Sequence, residues 1–138
     1  MENIFLNWNH IENFIDVLAI WIKTNPQIKI IYGLPRGGTI PGVLLSHKTG
    51  IKYSNDWPLL KHLYKQEEVL IVDDICDTGK TLEYYVNYGY PTVTLHYKED
   101  AICKPSFFTS TIGKDTWILY PWERSDSAPI QDYLINKK

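Results

Sequence analysis

Val69-Leu70-Ile71-Val72-Asp73-Asp74-Ile75-Cys76-Asp77-Thr78-Gly79-Lys80-Thr81 is the stretch around which the rest of the chain is placed. Four apolar residues in a row, two valines and an isoleucine among them, read as a strand buried on both faces, the pattern of a central parallel strand. Two adjacent carboxylates, Asp73 and Asp74, then fall where that strand is expected to end. In open α/β sheets the carboxyl ends of the strands form the ligand crevice, so the pair stands where chemistry is usually done. Asp77 to Thr81 follow with closely spaced backbone N–H groups, two hydroxyls and one ammonium, and Thr81 to Val86 reads as a helix. Such a turn at a helix N-terminus is a phosphate cradle. A nucleotide P-loop would need glycine at position 74, where a carboxylate would meet a γ-phosphate with like charge, so that reading is poor.

A hydrophobic strand, two acids, two intervening residues, Asp-Thr-Gly and a final Thr together resemble the phosphoribosyl-diphosphate (PRPP) signature of the type I phosphoribosyltransferases. The resemblance implies an α/β fold with a mostly parallel central sheet flanked by helices, formed by residues 1–138 as a single domain. It also implies roles: Asp73 and Asp74 hold the ribose hydroxyls, Asp74 anchors Mg²⁺, and Asp77, Thr78, Gly79, Lys80 and Thr81 wrap the 5′-phosphate.

Composition narrows the setting. The chain has 138 residues, 44% hydrophobic, enough for one core and not for two. A formal charge of −2, with scattered lysines and no basic run before Lys137-Lys138, gives no nucleic-acid footprint. Cys76 and Cys103 stand outside any Cys-x-x-Cys pattern, and the histidines show no metal spacing. Without a signal-type or membrane-length apolar run, the expected setting is the cytoplasm, with no membrane span; a homo-oligomer remains open. Of fourteen basic residues only Arg36 and Arg124 are arginine, and both fall in segments assigned to the site. Arginine's planar fork suits bidentate contact with phosphate or carboxylate oxygens.

Towards the N-terminus, Ile11, Phe14, Ile15, Leu18 and Ile22 recur with helical period, so residues 9–24 are expected as an amphipathic helix capped by Asn9. Ile28 to Tyr32 has the β-branched content of a strand. Gly33-Leu34-Pro35-Arg36-Gly37-Gly38 makes a tight turn into a helix from Thr39 to His47 with Pro41 in its first turn. Its place one strand before the acids resembles the pyrophosphate loop of the same family. By that resemblance Arg36 and Gly37 grip the diphosphate, and the Pro35–Arg36 peptide is expected to be non-trans.

Between Ile51 and Val69 the family carries a strand and a long hood that closes over PRPP. Here the segment is too short for a strand, a hood and a return. Asp56-Trp57-Pro58 reads as a turn, with Leu59, Leu60 and Leu63 facing the core from a short helix and Lys61, Tyr64 or Lys65 as stand-ins for the hood. The reduced hood argues against full catalytic competence and keeps a second reading in view, a PRPP- or nucleotide-binding regulatory module with little catalysis.

In the last third, Thr92 to Tyr97 alternates as a strand with Lys98 at its end, Ser106 to Ser110 is a short strand, and Asp115 to Glu123 begins as one. Asp115-Thr116-Trp117-Ile118 followed by Pro121-Trp122 and an acid resembles the C-terminal motif of the bacterial xanthine-guanine phosphoribosyltransferases. Carried over, Trp117 stacks on the purine, the Ile118 backbone meets the base edge, and Lys98 donates to the 6-oxo group. A cation there excludes a 6-amino purine because donor would face donor. Leu119 replaces an acid near the purine 2-position, which makes hypoxanthine a plausible base. The expected reaction is attack of a purine ring nitrogen (guanine, xanthine or hypoxanthine) on the anomeric carbon of PRPP, with pyrophosphate leaving. Asp77, by the resemblance, takes the base's proton, and Asp73, Asp74 and Arg36 complete the catalytic set.

Overall fold

In the computed structural model, which describes residues 2–123, five parallel strands form the central sheet. In chain order the elements are β1 (Glu2–Phe5), α1 (Trp8–Lys23), β2 (Ile30–Gly33), α2 (Thr39–Thr49), β3 (Lys52–Tyr53), α3 (Trp57–Leu63), β4 (Val69–Cys76), α4 (Lys80–Asn87), β5 (Thr92–Lys98), β6 (Phe107–Ile112) and β7 (Thr116–Leu119). The sheet runs in the order β3-β2-β4-β5-β6. Alternation along β4 sends Leu70 and Val72 to one face, against Ile11, Ile15, Leu18 and Ile22 of α1 and Leu45 of α2. Val69 and Ile71 go to the other, against Leu60 of α3 and Leu82 of α4. All four are fully buried, which is why the run shows no polar alternation.

Strand order places the crevice. The chain leaves β2 for β3 on one side and returns as β4 on the other, so the loops after β2 and β4 part at a switch point, where open α/β sheets leave room for ligand. A second, two-stranded parallel sheet pairs β1 with β7, in the register Asn3–Trp117 and Ile4–Ile118. No sequence signal had marked β1.

Several boundaries differ from those read in the sequence. β4 runs on through the acids to Cys76, with Asp73 opposite Thr94 and Ile75 opposite His96, because β5 offers a backbone ladder that far. α1 is capped by Asn7, not Asn9: the Asn7 side chain accepts from His10 N–H while the Asn7 N–H donates to His10 Nδ1. Of the three leucines expected in the core from α3 only Leu60 is buried; Leu59 and Leu63 lie on the outer face. Asp56 caps that helix by accepting from Leu59 N–H. Only residues 54–56 separate β3 from α3, so no hood intervenes between them.

Candidate active site

The loop after β2 is held against β4 by its own backbone. Leu34 N–H donates to Val72 O at 2.8 Å and Gly38 N–H to Leu34 O at 2.8 Å. A Cβ on Gly38 would stand 2.1 Å from Val72 O, and one on Gly37 would stand 2.5 Å from an Asp74 carboxylate oxygen. Gly38 therefore needs glycine for close approach to backbone, whereas the atoms against Gly37 belong to the Asp74 side chain. The Pro35–Arg36 peptide is cis, as expected from the motif. Gly37, the next residue after Arg36, lies against the Asp74 carboxyl.

Asp73 and Asp74 follow one another on β4, and their carboxyl groups lie within hydrogen-bonding reach of each other. Asp74 N–H donates to Asp73 Oδ1 at 2.9 Å and Ile75 N–H to Asp74 Oδ1 at 2.8 Å. Burial pushes the Asp74 carboxyl up to about 6, with the Glu123 carboxylate adding to the rise, against the lowering bonds from Asp73 and Ile75. A carboxylic acid raised in the fold stabilises it in the neutral form, so that contribution is present below pH 4 and is lost as pH rises through about 6. The expected result in metal-free protein is that the stability difference between wild type and Asp74→Asn shifts by about 1 to 3 kcal/mol in favour of the variant from pH 4.5 to 7.5. Urea midpoints across that range read it, and a flat difference would refute the assignment.

Beyond β4 the turn from Asp77 leads to Gly79, which caps α4 in the left-handed region at φ +88°. A Cβ there would meet the backbone N of Ile102 and Cys103 at 3.1 Å. Ile102 N–H donates to Thr78 O at 2.8 Å and the Cys103 thiol to Gly79 O at 3.3 Å, so the turn is braced from behind. Thr78, Lys80 and Thr81 are exposed; the Thr78 hydroxyl oxygen accepts from Lys80 N–H at 3.2 Å, and the Lys80 ammonium and Thr81 hydroxyl stand at the α4 N-terminus, where an anion is favoured.

Lys98, at the end of β5, is buried and pairs with Asp77 at 2.9 Å, their side chains 8% and 27% exposed; its ammonium also donates to Lys114 O at 3.3 Å. A lysine this buried needs a counter-charge, and Asp77 supplies it from the turn before α4. In β7, Ile118 packs in the core while Trp117 is half-buried on the opposite face, its indole N–H buried with no acceptor among the described residues. Leu119 is buried. Arg124 lies outside the described residues. Lys61 stands over the Tyr84 ring at 5.9 Å from its centroid, where it serves α4 packing.

Two residues went unremarked in the sequence. Tyr120, directly after β7, donates its hydroxyl to Asp74 O at 3.1 Å and lies 2.9 Å from His96 Nδ1. A lone tyrosine among apolar residues carries no signal beyond burial. Among the described residues no group of three or more His, Cys, Asp and Glu gathers as a metal cluster, and no helix is long and apolar enough to cross a membrane. A groove of about 340 Å³ lined by Gln27, Glu67, Tyr90 and Lys104 opens at the opposite end of the strands, among the segments that lead into them, and includes none of the crevice residues.

Residues 39–88 match the phosphoribosyl transferase domain family. A xanthine-guanine phosphoribosyltransferase of Vibrio atlanticus is 30% identical, covering 91% of this chain and 92% of its own. One from Idiomarina loihiensis is 25% identical, with 86% of each chain covered. Among solved structures, the purine phosphoribosyltransferase of Pyrococcus horikoshii superposes with a TM-score of 0.73 at 26% identity, covering 94% of this chain and all of its own. A xanthine-guanine-hypoxanthine phosphoribosyltransferase of Helicobacter pylori shares the fold, with a TM-score of 0.70 at 18% identity.

Proposed function

We propose, from the premise that this chain belongs to the phosphoribosyltransferase family, that it transfers the 5-phosphoribosyl group of PRPP to a 6-oxopurine and releases pyrophosphate. The observation that supports this most directly is the Lys98–Asp77 pair at 2.9 Å. The 6-oxo oxygen and N7 lie side by side on one purine edge. An ammonium and a carboxylate held together therefore meet that edge with a donor for the oxygen and an acceptor for the ring N–H.

The remaining roles follow from what the transition state needs. Loss of pyrophosphate leaves the ribose oxocarbenium-like, so the site must fix the sugar, accept positive charge and neutralise the leaving group. Asp73 and Asp74 hold the ribose hydroxyls; Arg36 and the Gly37 amide steady the diphosphate; Thr78, Gly79, Lys80 and Thr81 bind the 5′-phosphate. Trp117 offers an aromatic face to the purine, with the Ile118 backbone at its edge. Asp77 accepts the base's proton.

The family implies Mg²⁺, and the donor set suits it. Magnesium takes one or two carboxylates together with waters and substrate phosphates. A pair of acids, with the side-chain-free Gly37 beside the Asp74 carboxylate, fits that shared mode. Asp74 would hold the ion, directly or through water, and the ion would offset charge on the departing diphosphate. Residues 1–138 act as one domain in this reading, working in the cytoplasm.

The test is to incubate the protein with Mg²⁺, PRPP and each of guanine, xanthine, hypoxanthine and adenine, measuring nucleotide and pyrophosphate. Expected are turnover with 6-oxopurines, none with adenine, and hypoxanthine used at least as well as guanine, since Leu119 gives the 2-amino group no carboxylate. PRPP binding without release for any base would contradict transfer.

A further inference from the structure

Resting on that reading of the crevice, we propose that Tyr120 is a positioning residue: its hydroxyl sets the base-binding segment at the separation from the ribose acids that transfer requires. β7, which carries Trp117, is not hydrogen-bonded into the five-stranded sheet; its ladder runs to β1. The acids stand on β4 in the main sheet. Besides the bond from the Lys98 ammonium to Lys114 O ahead of β7, apolar packing joins the two sheets, with Ile118 and Tyr120 in the core shared with Val72 and Leu95 and Ile4 packed against it. Such packing is non-directional and tolerates small slips. A hydrogen bond does not, because it weakens steeply with angle.

The Tyr120 bond ends on the main-chain carbonyl of Asp74 itself, so one contact links the segment after β7 to the residue whose side chain holds ribose. The hydroxyl is oriented from behind. A phenol has a single proton; with it committed to Asp74 O, the phenol oxygen accepts from His96 Nδ1, and His96 is the Nδ1–H tautomer. His96 is buried at 3% exposure and kept neutral by that burial. Its ring is fixed edge-on by Phe14 at 5.3 Å, and Tyr120 is stacked on Trp122 at 4.9 Å. A chain of polar groups in a core costs desolvation that two phenylalanines would avoid. What the phenylalanines would lack is the directional link. Transfer requires the attacking nitrogen within about 3 to 3.5 Å of the anomeric carbon, and a misplacement of about 1 Å costs on the order of a hundredfold.

Tyr120→Phe keeps the ring stack and removes the link. The test compares it with wild type and with Ile22→Val, a core change at the far end of α1 that serves as a stability control. Melting temperature, kcat, and the affinities for PRPP and for a 6-oxopurine nucleoside monophosphate, which spans both halves of the site, are measured. Expected for Tyr120→Phe are a kcat lower by about tenfold or more, nucleotide affinity weaker by about fivefold or more, and PRPP affinity within about twofold. Ile22→Val should keep all three at a comparable loss of melting temperature.

A folded Tyr120→Phe protein with kcat and nucleotide affinity within twofold of wild type overturns the proposal. So does an equal loss of PRPP affinity, or the same losses in the control. Because Tyr120→Phe strands the His96 N–H, the double variant His96→Phe/Tyr120→Phe carries the same expectations if the single one fails to fold. Failure of both to fold would assign Tyr120 to stability and refute positioning. Wild-type protein that binds neither PRPP nor nucleotide would refute the transferase reading as well, whereas normal wild-type binding with an unaffected variant refutes this proposal alone.

Discussion

Asp77→Asn is expected to lower turnover by a factor of roughly 10² to 10⁴ while leaving PRPP affinity within a few-fold of wild type. The asparagine is isosteric and its carbonyl still accepts from Lys98, so the turn proposed to carry the 5′-phosphate keeps its shape. What vanishes is the carboxylate proposed to take the purine's proton, needed only once the base attacks. The same change leaves the Lys98 ammonium, 8% exposed, without its counter-charge beside the site proposed for the base. Purine affinity should therefore fall along with kcat. Steady-state kinetics with saturating PRPP, beside direct titration of PRPP binding, separates the two. Equal losses in turnover and PRPP affinity would show that Asp77 serves the phosphate turn and not the proton transfer.

The largest loss of stability is expected at Gly38→Ala, about 3 kcal/mol or more, a fall in melting temperature of roughly 10 °C or more. The new methyl would lie 2.1 Å from Val72 O, 2.8 Å from Leu34 N and 2.9 Å from Asp73 Cα. All three are backbone atoms, so no side chain can swing aside; the turn after β2 must lift from β4 or the strand must bend. Gly38 itself has φ −86°, so the cost is one of space and not of torsion. Gly50→Ala provides the contrast: nothing lies within 4 Å of its Cβ, but φ is +78°, and about 1 kcal/mol is expected from the left-handed backbone alone. Thermal melts of the two variants side by side test the distinction. A Gly38→Ala protein melting within 2 °C or so of wild type would mean that the turn does not sit against β4 as described.

Both results depend on features whose legibility differed. Asp77 was readable because the phosphate turn is built from consecutive residues, and local spacing in a sequence is local spacing in space. The same holds for Arg36 and Gly37, which share a five-residue turn between β2 and α2. Gly38 was visible as a glycine in a tight turn, but its contact with Val72 lies 34 positions away and depends on β2 and β4 being neighbours while β3, which falls between them in the chain, goes to the edge. Lys98 and Asp77 were each singled out, yet nothing in the chain order said that they pair. Leu59 and Leu63 were misplaced for a related reason: a seven-residue helix has too few turns for its period to define one buried face. Asn7 displaced Asn9 as the cap because the reciprocal bond with His10 required a histidine three residues on, which the short-range pattern of acids and amides does not announce.

By itself the amino-acid order determined the fully buried central strand, the hydroxyl-rich turn after it, the glycine turn with its arginine and the family to which they point, since each is written in neighbouring residues whose shapes and charges act locally. Tertiary structure alone decided that β1 pairs with β7 outside the main sheet, that Lys98 meets Asp77, and that Tyr120 ties the segment after β7 to Asp74. Those contacts join segments 20 or more positions apart. Their energies exist only once the sheet order and strand register have brought the partners within hydrogen-bond reach.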